Sequence, residues 1–201
     1  MQLSTPSSQL EKSLSLGTLE ILQKRDISRF VILREASRAD ETPISNLLVE
    51  SFVETHRKKL SLNTEPERIQ ELRNVRSRMN CGTTLLMELG NETIGTCSVI
   101  YPSTMEDQSW MSLAATLRCV AIKVKYQGLK LADLLLEKAE TIVRDKWNLK
   151  HFCLQTYEKA TRVANFYQSH GFVRDTRGDL QTPQAQLIGF SKYYKVQPSN
   201  T

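Results

Sequence analysis

The fold is decided by residues 119–132, which read CVAIKVKYQGLKLA. The first half is apolar and rich in β-branched residues, as in a buried strand. A Gln-Gly pair then forms a short turn, and apolar side chains recur over residues 129–147 at the period of an amphipathic helix. A turn that opens a helix directly after a strand points several unpaired backbone N–H groups and the positive end of the helix dipole at one place. The unit therefore predicts an anion site, to which Lys125 and Lys130 add charge, although the same unit also occurs in sheets without a ligand.

The rest of the chain alternates between strand-like and helix-like periods. Strands are predicted where short apolar runs are bounded by turn residues, and helices where apolar residues recur every three or four positions. The strands fall at residues 30–33, 83–89, 93–101, 111–124, 152–154, 172–173 and 187–193, and the helices at about 40–52, 65–79, 129–147 and 160–170. This order predicts an α/β (α+β) fold with one mixed central sheet of about six to seven strands and about four flanking helices. The strand at 111–124 is too long to be flat, so a bulge or a splay is expected inside it.

Length and composition indicate one globular domain. The chain has 201 residues, of which 40% are hydrophobic and 24% charged, which excludes collagen-like, low-complexity and wholly disordered proteins. Residues 1–27 are polar and rich in serine, so we expect an N-terminal extension there and a single domain over residues 28–201. A net charge of +5 suits an anionic ligand but is too small for a surface that coats nucleic acid, so a nucleic-acid partner is not expected.

Cysteine and histidine spacing argues against a metal site or a catalytic triad. The four cysteines contain no CxxC pair, so we expect them to be reduced and mostly buried, and no metal is expected. His56, His151 and His170 are isolated and are interpreted as structural or surface residues. No signal-like or membrane-spanning stretch is evident, so we expect a cytoplasmic protein with no membrane partner, and a homodimer is compatible with the sequence.

Two motifs resemble the GNAT superfamily of N-acetyltransferases. Residues 126–132 are similar to its acyl-CoA signature, Gln/Arg-x-x-Gly-x-Gly/Ala, with Gln127 at the first position, Ala132 at the last, and Lys130 where the central glycine stands. Residues 160–172 resemble the helix and strand that follow, ending in Phe-Tyr-x-x-x-Gly-Phe, with Ala160 in place of a frequent asparagine. The resemblance covers about residues 28–195.

The resemblance implies a site that binds acetyl-CoA and transfers its acetyl group to a primary amine. It implies a splay between the fourth and fifth strands, which the pantetheine arm fills by pairing with backbone, while the backbone N–H near Ile122 polarises the thioester carbonyl. The residues implied in cofactor binding are Val120, Ala121, Ile122, Gln127, Gly128, Leu129, Lys130, Leu131 and Ala132.

The resemblance implies a catalytic role for one tyrosine and identifies a position where the family's usual base is missing. Tyr167 stands where the family keeps a tyrosine that hydrogen-bonds the leaving thiolate, and Thr116 stands where a glutamate base is frequent. Glu158 is therefore a candidate base, with a water relay as the alternative. The amine attacks the thioester directly, so no protein nucleophile is required.

Several readings stay open. The sequence is also compatible with a longer acyl-CoA or an acyl carrier protein as donor, and with a non-catalytic CoA-binding regulator or a basic RNA-binding module. The acceptor, either a small molecule or a protein, is chosen by loops near residues 53–80, 102–110 and 174–186, which carry no interpretable motif. Tyr157, Tyr101 and Trp110 are candidates for lining its pocket, although loop polarity or packing explains each of them equally well.

Overall fold

A computed structural model describes residues 27–60, 64–102, 114–183 and 185–195. The strands are β1 Val31–Glu35, β2 Gly82–Leu89, β3 Glu92–Ile100, β4 Ala115–Ile122, β5 His151–Tyr157, β6 Val173–Arg174, β7 Leu180–Gln181 and β8 Gln186–Tyr193. The α-helices are α1 Glu41–Thr55, α2 Pro66–Arg73, α3 Val75–Asn80, α4 Leu131–Thr141 and α5 Thr161–Ser169. A π-helical turn extends α1 over His56–Leu60, and another extends α4 over Ile142–Lys146.

The predicted mixed sheet is confirmed. Its strands lie in the order β1-β2-β3-β4-β5-β8-β6, with β7 attached to β8. Every pairing is antiparallel except that between β4 and β5. The sequence did not predict β7, which is two residues long and lies in the polar segment before β8. It is a strand because its backbone pairs with Leu187 and Gln186 of β8.

The helix predicted over residues 65–79 is two helices. Asn74 has φ −79° and ψ 59°, outside the helical region, so α2 ends there. Its side-chain oxygen accepts a hydrogen bond from the backbone N–H of Ser77 at 3.3 Å and so caps the start of α3. The apolar period runs through this break, which is why the sequence pattern predicts one helix.

A bulge in β4 produces the predicted splay. Ser98 pairs with Arg118 and Thr96 pairs with Ala121, so two residues of β4 stand opposite one of β3. Cys119, one of these two, has a left-handed φ of 53°. On the other side of β4, pairing with β5 covers only three residues and stops at Leu117 and Leu154, although both strands continue.

The sheet separates two apolar cores. One core contains side chains of α4 and α5 and the sheet residues Leu117, Leu154 and Phe152. The smaller core, under α1, α2 and α3, contains Cys119 and Ala121. Because side chains alternate along β4, the bulge turns Cys119 towards the second core.

Ile27 belongs to the folded domain. Its side chain is buried in the larger core, whereas the other residues of the predicted N-terminal extension lie outside the described part of the chain. No helix among the described residues is long and apolar enough to cross a membrane.

The cysteine prediction is confirmed. All four cysteines are free; Cys97, Cys119 and Cys153 are buried and Cys81 is partly exposed. Within the described ranges, no group of three or more His, Cys, Asp or Glu side chains is arranged to hold a metal ion.

We predict that Gly189→Ala is strongly destabilising. A Cβ at Gly189 of β8 would lie 2.6 Å from both the carbonyl oxygen of Asp175 and the Cα of Gly178, and neither backbone atom can move independently. We expect the free energy of unfolding to fall by roughly 2–3 kcal/mol, measured by chemical denaturation. Gly90→Ala is the control, because Gly90 has a positive φ but open space around its Cα, and it should cost only ~1 kcal/mol. Equal losses in the two variants would contradict the steric explanation.

Candidate functional site

The unpaired end of β4 exposes backbone groups to the gap beside β5. The N–H of Lys123 donates to the carbonyl of Ile94 on β3 at 2.8 Å. Because successive residues of a strand direct their backbone groups to opposite edges, those of Val120 and Ile122 face the gap. The carbonyl of Ile122 accepts a hydrogen bond from the Gln127 side chain at 3.0 Å, which ties the end of β4 to the following turn. The N–H groups of this edge are therefore available to an extended ligand.

The turn between β4 and α4 presents a cluster of backbone N–H groups. Gly128 and Lys130 have φ values of 86° and 59°. Within the described chain, the N–H groups of Gly128, Leu129 and Lys130 have no hydrogen-bond acceptor, and those of Leu131 and Ala132 lie in the first turn of α4, where no intrahelical acceptor exists. Such a set at the positive end of a helix is suited to an anion.

Lys130 keeps the left-handed conformation that a glycine would adopt easily. This backbone costs a residue with a side chain roughly 1–2 kcal/mol. The Lys130 side chain is exposed, and no carboxylate of the described residues pairs with it. The geometry of the turn therefore survives without the glycine, and an ammonium group is added beside it.

Lys125 differs from Lys130 because a carboxylate neutralises it. Glu92, at the start of β3, pairs with Lys123 and Lys125 at 2.9 Å each and accepts a hydrogen bond from the Tyr126 hydroxyl at 2.7 Å. Burial disfavours the charged form of Glu92, but the hydrogen bonds from Lys123, Tyr126 and Lys125 outweigh it and lower its pKa to about 2. Glu92 lies in the β2–β3 hairpin, far from the turn in sequence, so the pattern of residues 119–132 could not predict this pairing.

Tyr167 lies on α5 in the larger core, together with Leu117 and Leu154, where the β4–β5 pairing stops. Its ring is 6% exposed and contacts Phe166 and Phe172, with ring centroids 5.3 and 5.8 Å away. Burial, followed by the nearby Cys97 thiol, raises the pKa of Tyr167 well above its usual range. The phenol is therefore protonated at neutral pH and able to donate a hydrogen bond.

Glu158 and Thr116 differ sharply in their surroundings. Glu158 is exposed in the turn after β5, where its backbone N–H donates to the carbonyl of Gln186 at 3.0 Å. Thr116 is buried, and its hydroxyl lies 3.4 Å from the Cys153 thiol across the paired part of β4 and β5. No carboxylate stands at Thr116, and the role of Glu158 as a base stays a prediction.

His56, which the sequence pattern indicated to be a structural or surface residue, is buried beside the splay. His56 is 2% exposed, and its Nδ1 lies 2.8 Å from Thr64 Oγ1. Its ring meets the edge of Tyr157, at the end of β5, with centroids 5.0 Å apart, and Phe52 lies on another side at 5.8 Å. Burial, followed by the charge of Arg68, lowers the pKa of His56 below its usual value. His56 and Tyr157 are about a hundred positions apart in the sequence, so no local motif could connect them.

The remaining candidates are located away from this cluster or in packing contacts. His151 contacts Ser191 at 2.9 Å, and His170 lies 3.2 Å from Asp133. Tyr101 packs edge-on against Trp147 at 5.2 Å. Trp110 lies outside the described residues.

Comparisons with known proteins agree with this geometry. Residues 80–174 match the family model for the acetyltransferase (GNAT) domain. No protein with a curated description is similar enough in sequence to count as a relative.

Solved structures share the fold at low sequence identity. An acetyltransferase from Streptococcus agalactiae superimposes with a TM-score of 0.65 at 18% identity, covering 83% of this chain and 99% of its own. The PaiA N-acetyltransferase of Thermoplasma acidophilum, in complex with coenzyme A, gives 0.61 at 19% identity over 82% and 99%. A variant of the spermidine N-acetyltransferase SpeG of Vibrio cholerae gives 0.56 at 18% identity over 82% and 94%. Residues 80–174 of this chain therefore carry an acetyltransferase (GNAT) domain, and the strand order and the splay agree with the fold of these solved structures.

Proposed function

We propose that this protein transfers an acetyl group from acetyl-CoA to a primary amine by direct attack in a ternary complex. One observation carries the proposal. The unpaired edge of β4 leads directly into the turn at the start of α4, whose N–H groups have no acceptor among the described residues. One edge fits the amides of an extended pantetheine arm, and the turn fits a pyrophosphate. That PaiA was solved with coenzyme A on the same fold supports this donor.

The donor would be held mainly by backbone. Pyrophosphate oxygens would accept from the N–H groups of residues 128–132, with Lys130 adding charge, and the pantetheine amides would pair with Val120 and Ile122. Ala121 would hold this edge in place through its pairing with Thr96 on β3. The N–H of Ile122 would then lie near the thioester carbonyl and stabilise the oxyanion that forms on attack.

The chemistry requires one C–N bond to form and one C–S bond to break. The lone pair of a neutral amine attacks the carbonyl carbon, and the C–S electron pair leaves on sulfur. Tyr167 is proposed to hydrogen-bond this thiolate and pass it the second proton of the attacking nitrogen. Glu158 is the carboxylate proposed from the sequence to take the first proton. That SpeG is a spermidine N-acetyltransferase supports an amine as acceptor. A cytoplasmic location and a homodimer, both expected from the sequence, stay predictions.

We predict that Gly128→Val abolishes the donor site. A β-branched side chain at φ 86° is strained, so the turn must rearrange and its N–H groups lose their common direction. Calorimetric titration should show the affinity for acetyl-CoA falling at least about tenfold, a loss of about 1.4 kcal/mol. Gly90→Val is the matched control, since Gly90 also has a positive φ and open space but lies in another turn. A donor affinity that is unchanged in Gly128→Val would place the phosphate site elsewhere.

We predict that Lys130→Glu weakens acetyl-CoA binding mainly at low ionic strength. The ammonium would act on the phosphates through solvent, where the screening length shrinks to ~3 Å at 1 M salt. Titrations at low and high salt should therefore show a loss that largely disappears as salt is raised. Lys138→Glu, an equal change of charge farther along α4, is the control for net charge. A loss that does not depend on salt would indicate a distorted turn instead of a lost charge.

We predict that Tyr167→Phe slows acetyl transfer with little change in acetyl-CoA affinity, because charge grows on sulfur only as the thioester breaks. Single-turnover kinetics should show a fall of ~100-fold, the lower end of general acid assistance. Tyr193→Phe, which removes an exposed hydroxyl bonded to Arg177, is the control. A Tyr167→Phe rate within about twofold of wild type would identify Tyr167 as a packing residue.

A further inference from the structure

Four buried polar atoms on α1, its π-helical extension, α2 and α3 have no hydrogen-bond partner among the described residues, and these elements pack on the side of the sheet opposite Tyr167. They are Ser51 Oγ, His56 Nε2, Arg68 Nε and Arg78 Nε, of which those of His56 and Arg68 are considered together. Leaving a buried polar group unpaired costs about 1–3 kcal/mol, so such groups in a folded protein call for a reason. Both side chains pack on the Phe52 ring, with Arg68 Cζ at 5.3 Å and the His56 centroid at 5.8 Å. The two unpaired atoms therefore belong to one cluster.

This cluster borders the gap between β4 and β5 through Tyr157. Tyr157 is the last residue of β5, at the end of the stretch that has no partner on β4. Side chains alternate between the two faces of the sheet along β5, so Tyr157 lies on the same face as Cys153, whose thiol contacts Thr116 of β4. Leu154 lies on the opposite face, in the core that contains Tyr167. His56 and Tyr167 therefore flank the gap from opposite faces of the sheet. A thioester in the gap would have the core that contains Tyr167 on one side and the cluster of His56 and Tyr157 on the other.

The orientation of His56 is fixed at one nitrogen. Nδ1 is held by Thr64 Oγ1 at 2.8 Å, and Nε2, on the other side of the ring, points away from that contact. When Nδ1 donates its proton to the threonine oxygen, Nε2 carries the free lone pair of a neutral base. The charge of Arg68 beside it favours the neutral imidazole, the form that accepts a proton.

Charged and titratable groups surround the pair of His56 and Tyr157 on several sides. They are Arg68 and Glu71 of α2, which are hydrogen-bonded to each other, Glu65 just before that helix, and the Tyr157 phenol itself. Arg68 therefore already has a carboxylate partner, and the Glu71 carboxylate is engaged. Of these groups, the imidazole is the one that is a neutral base with an unpartnered nitrogen.

We propose that Nε2 of His56 is the proton acceptor for the amine substrate, reached through one water that donates to Nε2 and accepts from Arg68 Nε. This inference rests on the proposed acetyl transfer and replaces Glu158 as the base. The ammonium gives one proton to His56, and its freed lone pair forms the C–N bond as the C–S bond breaks. The second nitrogen proton goes to the thiolate through Tyr167, and His56 later releases its proton to solvent. Atoms and charge balance as ammonium and thioester become amide, thiol and one proton.

Two probe amines of similar size separate proton removal from binding. Ethylamine is protonated at neutral pH and needs a base, whereas trifluoroethylamine is already neutral because fluorine withdraws electrons from nitrogen. Release of the CoA thiol from acetyl-CoA is followed for the wild-type full-length chain and for His56→Asn, whose amide retains the contact with Thr64. We expect kcat/KM for ethylamine to fall at least ~100-fold and that for trifluoroethylamine to change by no more than about threefold.

Matched variants and separate outcomes keep this test decisive. His151→Asn, at the opposite end of β5, should leave kcat/KM for both amines within about threefold of wild type. A change of that size is much smaller than the ~100-fold loss expected when a general base is removed. If His56→Asn does not fold by circular dichroism, His56→Gln, which fills more of the same volume, is measured instead. Equal losses with both amines, or no loss with either, would overturn the role of His56. A wild-type chain that binds acetyl-CoA but releases no thiol with either amine would refute the acetyl transfer itself.

Discussion

The bulge at Cys119 is the constraint on which the rest of the site depends. A single extra residue in β4, with a left-handed φ of 53°, increases the local twist and bends the strand away from β5. Parallel pairing then ends at Leu117 and Leu154 while hydrogen bonding to β3 continues as far as Lys123. Without the bulge, the two strands would satisfy each other, and no backbone edge would be left for a ligand.

The splay also divides the work of the site between two faces of one sheet. On the face of α4 and α5 lie the turn after β4 and the buried Tyr167, the groups proposed for the donor and its leaving sulfur. On the face of α1 and α2, His56 and Arg68 each carry a buried nitrogen without a partner among the described residues, and in the proposed mechanism these two atoms hold the bridging water. The thioester would lie in the gap between β4 and β5, between the two faces of the sheet. In the proposed mechanism, the first amine proton leaves on the face of His56, and the second passes to the thiolate on the face of Tyr167.

Local sequence patterns were sufficient for the backbone elements of the proposed donor site. The run from Cys119 to Ala132 forms a strand, a glycine turn and an amphipathic helix with contiguous signals, so its geometry follows from short-range rules. The excess length of the same strand indicated the bulge, and the spacing of Tyr167 before Gly171 placed that tyrosine on its helix.

Contacts between distant elements follow no local period in the sequence. His56 meets Tyr157, and Glu92 meets Lys125, only because distant strands and helices are brought together by the sheet. The break at Asn74 has the same origin, because a side-chain cap replaces helical backbone without disturbing the apolar pattern. Local patterns therefore predict the strand, turn and helix of the proposed donor site and miss the side-chain contacts between distant elements, including those of His56.

The central claim is that coenzyme A lies in the gap between β4 and β5 with its phosphates on the turn that opens α4. Titration of ¹⁵N-labelled protein with coenzyme A, followed by amide NMR, tests it most directly. The amide signals of Ile122 and of residues 128–132 are predicted to shift most, while those of Gly90 and Gly189 stay in place. Saturable binding that leaves Ile122 and the turn unmoved and shifts amides elsewhere would contradict the account.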